Sequence, residues 1–136
     1  MFGKKTKKPL LIFIAEDNAA YAKTLQLFLK EKVSGATAEI FPVGELLIDN
    51  LHRNPDVVIM DYILNTKYYD ASDGLEMIKE IKSRNKHAQV IMLSGQEDVQ
   101  VAVKIMKEVD SNYVPKDDLA FKNVLEIIRK AYPDRA

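Results

Sequence analysis

No cysteine occurs among the 136 residues. A disulfide framework, a thiolate zinc site and a cysteine nucleophile are therefore excluded, and the lack fits a cytoplasmic chain. Charge of one sign is also missing: twenty Lys and Arg balance twenty Asp and Glu, for a formal net charge of +0. Without the broad positive field that nonspecific nucleic-acid binding relies on, no direct nucleic-acid contact is expected. Long hydrophobic runs are absent too. The longest, Pro9 to Ala15, is too short to span a bilayer or to form the core of a signal peptide, so no membrane association is expected.

What is present suffices for one folded domain. Apolar residues make up 47% and charged residues 29% of the chain, enough to build a core and too apolar for disorder. Residues 1–8 read as a basic flexible tail and residues 9–136 as the domain, with no internal repeat or linker.

Four short runs are continuously apolar and β-branched: Leu10 to Ala15, Val57 to Met60, Val90 to Leu93, and Tyr113-Val114. Strands buried on both faces have this character. A fifth run, Thr37 to Phe41, alternates and carries Glu39, which suits an edge strand. Between the strands lie helical spacings: Ala22, Leu25, Leu29 and Val33; Leu75, Ile78 and Ile81; Val99, Ala102, Val103, Met106 and Val109; and Phe121, Leu125, Ile128 and Tyr132. A short helix is expected over Gly44 to His52, and the third helix is expected to begin at an Asp73 cap. Five alternations of strand and helix predict an α/β fold: a doubly wound, flavodoxin-like three-layer sandwich around a five-stranded parallel sheet of order 2-1-3-4-5.

In such a sheet the site lies beyond the carboxyl ends of the strands. The residues delivered there are Glu16-Asp17, Asp61, Ser94 and Lys116. Three carboxylates crowded together repel unless a cation sits among them, and hard oxygen ligands suit Mg²⁺. An aspartate can attack a phosphoryl group and form an acyl phosphate, with a lysine and a hydroxyl meeting the phosphoryl oxygens. Each residue also has a plainer role. Ser94-Gly95-Gln96-Glu97 fits a helix capping box, Lys116 fits a solvated loop, and Glu16-Asp17-Asn18 fits a helix start. All the plain roles would have to coincide in register with four strand ends.

With these residues in place, the chain resembles, over roughly Pro9 to Tyr132, the receiver domain of two-component response regulators, of the single-domain chemotaxis type. The resemblance implies that Asp61 accepts phosphate from a sensor histidine kinase or histidine phosphotransfer protein. It further implies that Asp17, Asp61 and the backbone carbonyl of Ile63 ligate Mg²⁺, with Glu16 acting through water. Ser94 and Lys116 would hold the phosphoryl oxygens, and Tyr113 would be the switch aromatic. The protein would be a signalling switch rather than a metabolic enzyme, its output a contact with a downstream protein or a phosphorylation-dependent homodimer. Val101 and Ile105, which fall outside the sheet-facing arc of the fourth helix, are expected to join Tyr113 in that output surface.

Three features depart from the family pattern. Lys116 is preceded by Pro115 and followed by Asp117, where the family usually has a cis proline after its lysine. Val109-Asp110-Ser111 lacks the glycine that commonly precedes the fifth strand. The loop Asn65 to Ser72, carrying Tyr68-Tyr69, is longer than usual and is expected to lie over the active-site edge. Competing readings are a small aspartyl-phosphate phosphatase or hydrolase, a flavin-binding domain and a receiver-like scaffold that does not accept phosphate. The first would want an acid where Ile63 stands, the second a glycine in the acidic first turn, and the third an incomplete acceptor set.

Overall fold

Strands that lack polar residues on either face need cover on both sides, and the chain supplies it with alternating helices. The computed structural model describes residues 8–61, 71–95 and 99–134, without the side chains of residues 71–75, 99, 101, 102 and 105. Its elements run β1 (Leu11–Ala15), α1 (Ala19–Lys32), β2 (Thr37–Phe41), α2 (Gly44–Asp49), β3 (Val57–Asp61), α3 (Ala71–Arg84), β4 (Gln89–Ser94), α4 (Val99–Glu108), β5 (Asn112–Pro115) and α5 (Ala120–Ala131). All pairings are parallel and the order is β2-β1-β3-β4-β5, as the alternation predicts.

Side chains alternate across the sheet into two cores. Ile12, Ile14, Val57, Ile59, Ile91 and Leu93 meet Leu25 and Leu29 of α1 and Val124 and Ile128 of α5. Phe13, Val58, Met60, Val90 and Met92 meet Leu47 of α2 and Ile78 and Ile81 of α3. The period of two along each strand and of 3.6 along each helix puts these residues on facing surfaces. The β2 edge is protected against further strand pairing: Gln26 Nε2 of α1 donates to the Ala38 carbonyl at 2.7 Å, and Glu39 pairs with Arg53.

Several boundaries differ from the sequence expectation, each for a local reason. The second helical segment breaks at Asn50, whose side-chain amide donates to the Leu46 carbonyl, and a 3₁₀ turn over Leu51–Arg53 completes it. Helix α3 begins at Ala71, so Asp73 lies in its first turn instead of capping it, and Ala71 and Ser72 belong to the helix rather than to the loop. An acid is favourable at either place near the positive helix end, so Asp73 could not tell them apart. Strand β5 is half-buried, because the order leaves it at an edge.

In α4, Val103 is 39% exposed and does not face the sheet, whereas Met106 is half-buried and Val109, just beyond the helix, packs on the second core. Val103 lies about 60° from Met106 and about 120° from Val109 around the helix, so a face centred on the latter two leaves it outside. The side chains of Val101 and Ile105 lie outside the described residues, as do residues 1–7, Ile63, Tyr68-Tyr69 and Gln96-Glu97.

Candidate functional site

The sheet register brings the polar strand ends into one row. Ala15 is level with Met60, Asp61 with Leu93, and Ser94 with Pro115. One further step therefore puts Glu16 beside Asp61 and Lys116 beyond Ser94. This edge is also where the chain order reverses between β1 and β3, the usual crevice of an open α/β sheet.

Local hydrogen bonds hold each residue in place. The Glu16 backbone N–H donates to the Phe41 carbonyl of β2, and the Lys116 N–H donates to the Ser94 carbonyl at 2.8 Å. Asn18 caps α1 by accepting the Tyr21 N–H at 3.0 Å, while its own N–H donates to Glu16 Oε2, also at 3.0 Å. Asp117 accepts the Leu119 N–H and so shapes the turn into α5. No peptide among the described residues is cis, including those at Pro115 and Lys116.

At the centre, Lys116 Nζ donates to Glu16 Oε1 at 2.7 Å and to Asp61 Oδ2 at 3.1 Å. Glu16 and Asp61 are 1% and 3% exposed, while Asp17 stands at the solvent side. One carboxylate oxygen from each of Glu16, Asp17 and Asp61 lies within 4.8 Å of the others. Burial, reinforced by the hydrogen bond to Asp61, pushes the Glu16 carboxyl from 4.5 up to about 7. Burial opposes the charge on Lys116, but the hydrogen bond to Glu16 and the two neighbouring carboxylates outweigh it and raise its pKa. The cluster is thus short of positive charge. Its hard oxygen donors and charge deficit fit a small divalent cation such as Mg²⁺.

Ser94 is fully buried at the end of β4, with its hydroxyl donating to the Gly95 carbonyl at 3.2 Å. The capping-box reading of Ser94 rests on Gln96 and Glu97 and so lies outside the described residues. Lys116 is not a solvated loop lysine, since its side chain is only 21% exposed. Tyr113 is half-buried against the second core with its hydroxyl inside. Two features escaped the sequence reading. Glu16 pairs directly with Lys116, 100 residues away, and Tyr21 stacks its ring on the same ammonium at 4.3 Å. The only sequence signal for the second is the spacing of Tyr21 and Phe28 on α1, seven residues apart, which places two aromatics on one side of the helix.

Comparison with known proteins agrees with this geometry. The family model for the response regulator receiver domain matches residues 12–129. Among curated proteins, the DNA-binding transcriptional regulator NtrC of Escherichia coli (strain K12) is 25% identical over 107 residues, 78% of this chain but 21% of that protein. Response regulator MprA of Mycobacterium sp. (strain KMS) is 24% identical over 131 residues, 93% of this chain and 54% of that protein. The chain thus spans between a fifth and about half of these relatives. A response regulator receiver domain protein from Clostridium thermocellum superposes with a TM-score of 0.75 at 22% identity, covering 91% of this chain and 94% of that one. Response regulator DrrB of Thermotoga maritima gives 0.73 at 21% identity, covering 90% of this chain and 52% of that one. Among the described residues no helix is long and apolar enough to cross a membrane.

Proposed function

Because the chain belongs to the response regulator receiver domain family, we propose that Asp61 accepts a phosphoryl group from a sensor histidine kinase or histidine phosphotransfer protein, and that the aspartyl phosphate switches contacts with a downstream protein or a second copy. The observation that carries this reading is the contact of Lys116 Nζ with Asp61 Oδ2 at 3.1 Å, in a row that also holds Glu16, Asp17 and Ser94. In the transfer, an Asp61 oxygen attacks phosphorus and an O–P bond forms. The P–N bond to the donor imidazole breaks, and its electron pair goes to the ring nitrogen. Lys116, freed from part of its carboxylate pairing as Asp61 becomes an acyl phosphate, meets the charge on the phosphoryl oxygens, and the Ser94 hydroxyl turns from the Gly95 carbonyl to donate to one of them. Asp17 and Asp61, with the Ile63 carbonyl and Glu16 through water, would hold Mg²⁺, which neutralises the cluster and the incoming phosphoryl charge.

This makes the protein a switch that changes partners rather than a catalyst of metabolite turnover. The Ser94 movement would draw on Tyr113, and the response would reach the α4–β5–α5 face that includes Val101 and Ile105. The test is intact mass after incubation with Mg²⁺ and acetyl phosphate. One phosphoryl group is expected on the wild type and none on Asp61→Asn; an unmodified wild type, or an equally labelled variant, would refute the assignment. Asp17→Ala should weaken Mg²⁺ binding at least about tenfold, or about 1.4 kcal/mol. Metal titration followed by fluorescence or NMR measures this directly, and wild-type affinity in the variant would remove Asp17 from the metal site.

A further inference from the structure

Lys116 is held on three sides, and only two of them are carboxylates. Its Nζ donates to Glu16 and Asp61, and the ring centroid of Tyr21 lies 4.3 Å away on another side. That is well inside the reach of about 6 Å at which an aromatic face attracts a cation. The ring is itself fixed. The Tyr21 N–H is tied to the Asn18 cap at 3.0 Å, and the ring meets Phe121 of α5 edge-on at 5.4 Å. Phe121 in turn leans on Phe28 at 5.4 Å. The hydroxyl accounts for none of this, because Tyr21 Oη is buried without a hydrogen-bond partner among the described residues. The residue acts on Lys116 through its face.

We infer that Tyr21 is a positioning residue for Lys116, whose ring holds the ammonium against the carboxylates and away from water, so that Nζ meets a phosphoryl oxygen on Asp61 without first being reoriented. The inference rests on the reading of Asp61 as phosphoacceptor. An aliphatic side chain at this place would fill the volume but offer no negative face, leaving Lys116 free to sample other rotamers and water.

Tyr21→Phe and Tyr21→Leu in the full chain separate the ring from its volume. In NMR spectra of the unphosphorylated protein, the Lys116 ε-methylene protons should be shifted upfield by the ring in wild type and Tyr21→Phe, and should return to ordinary values in Tyr21→Leu. With acetyl phosphate at saturating Mg²⁺, Tyr21→Phe should react within about twofold of wild type and Tyr21→Leu about tenfold more slowly, the size expected for a desolvated cation–aromatic contact. The Mg²⁺ concentration giving half the maximal rate should not move. A Tyr21→Leu protein as fast as wild type, or a Tyr21→Phe protein as slow as Tyr21→Leu, would overturn the inference. If Tyr21→Leu fails to fold, Tyr21→Met carries the same comparison. Should the wild type take no phosphate, the acceptor reading fails, while the NMR comparison still decides whether the ring holds Lys116.

Discussion

Replacing Lys116 with methionine is expected to slow phosphorylation by acetyl phosphate about 10²- to 10³-fold, the usual loss when one preorganised donor to a developing oxyanion is removed. It is also expected to destabilise the metal-free protein by about 3 kcal/mol, at the low end of the cost of breaking a buried ion pair. The reason is in the burial. Glu16 and Asp61 are 1% and 3% exposed, and Lys116 donates to both. Methionine keeps most of the volume but leaves two carboxylates side by side with no counter-ion between them. Protonation of Glu16, whose pKa is already raised to about 7, relieves part of the repulsion and keeps the penalty at the low end. Addition of Mg²⁺ should return more stability to Lys116→Met than to wild type, since the variant lacks the competing ammonium. Denaturant midpoints with EDTA and with Mg²⁺, beside phosphorylation followed by mass, measure both effects. Equal midpoints without metal, or a wild-type rate of phosphorylation, would show that Lys116 does not hold the site together.

The acidic row was legible in the sequence because parallel strands leave little choice. Val57 to Met60 is apolar on both faces and is followed at once by Asp61, so the carboxylate had to emerge at the strand end. The same argument placed Glu16, Ser94 and Lys116, and the register confirms that they share an edge. Details that depend on how one helix sits against another element were not legible. Angular spacing alone admitted Val103 to the buried arc of α4, but it could not say about which residue that arc is centred, and Met106 with Val109 centre it elsewhere. Tyr21 escaped for a related reason. Its partners are Lys116 and Phe121, brought to it only when α5 docks beside α1. Glu16 was expected to act on the metal through water; its direct contact with Lys116 depends on strand ends 100 residues apart in the chain.

Glu16 should also make the metal-free protein less stable as pH rises, the reverse of the usual behaviour of a salt-bridged acid. Burial and the hydrogen bond to Asp61 lift its folded pKa from 4.5 to about 7. Between these values the folded chain binds a proton that the unfolded chain has released, so the slope of stability against pH is negative there. Each tenfold difference in proton affinity is worth about 1.4 kcal/mol, which sets a ceiling of roughly 3 kcal/mol on the loss, complete above about pH 7. The other shifted pairs act outside this window. Glu39, lowered by its hydrogen bond to Arg53, contributes stability that fades as pH falls through its depressed folded value. The raised pKa of Lys116 contributes stability that is lost only at strongly alkaline pH. Glu16→Gln removes the titrating group and keeps one carbonyl acceptor in place of the two carboxylate oxygens that meet the Lys116 ammonium and the Asn18 N–H. The variant should therefore show a flat profile between about pH 5 and pH 7. Chemical denaturation in EDTA across that range measures the slope, and parallel curves for wild type and Glu16→Gln would show that Glu16 is ionised throughout. In wild type, saturating Mg²⁺ should flatten the same slope, because a cation among the three carboxylates favours the ionised form of Glu16.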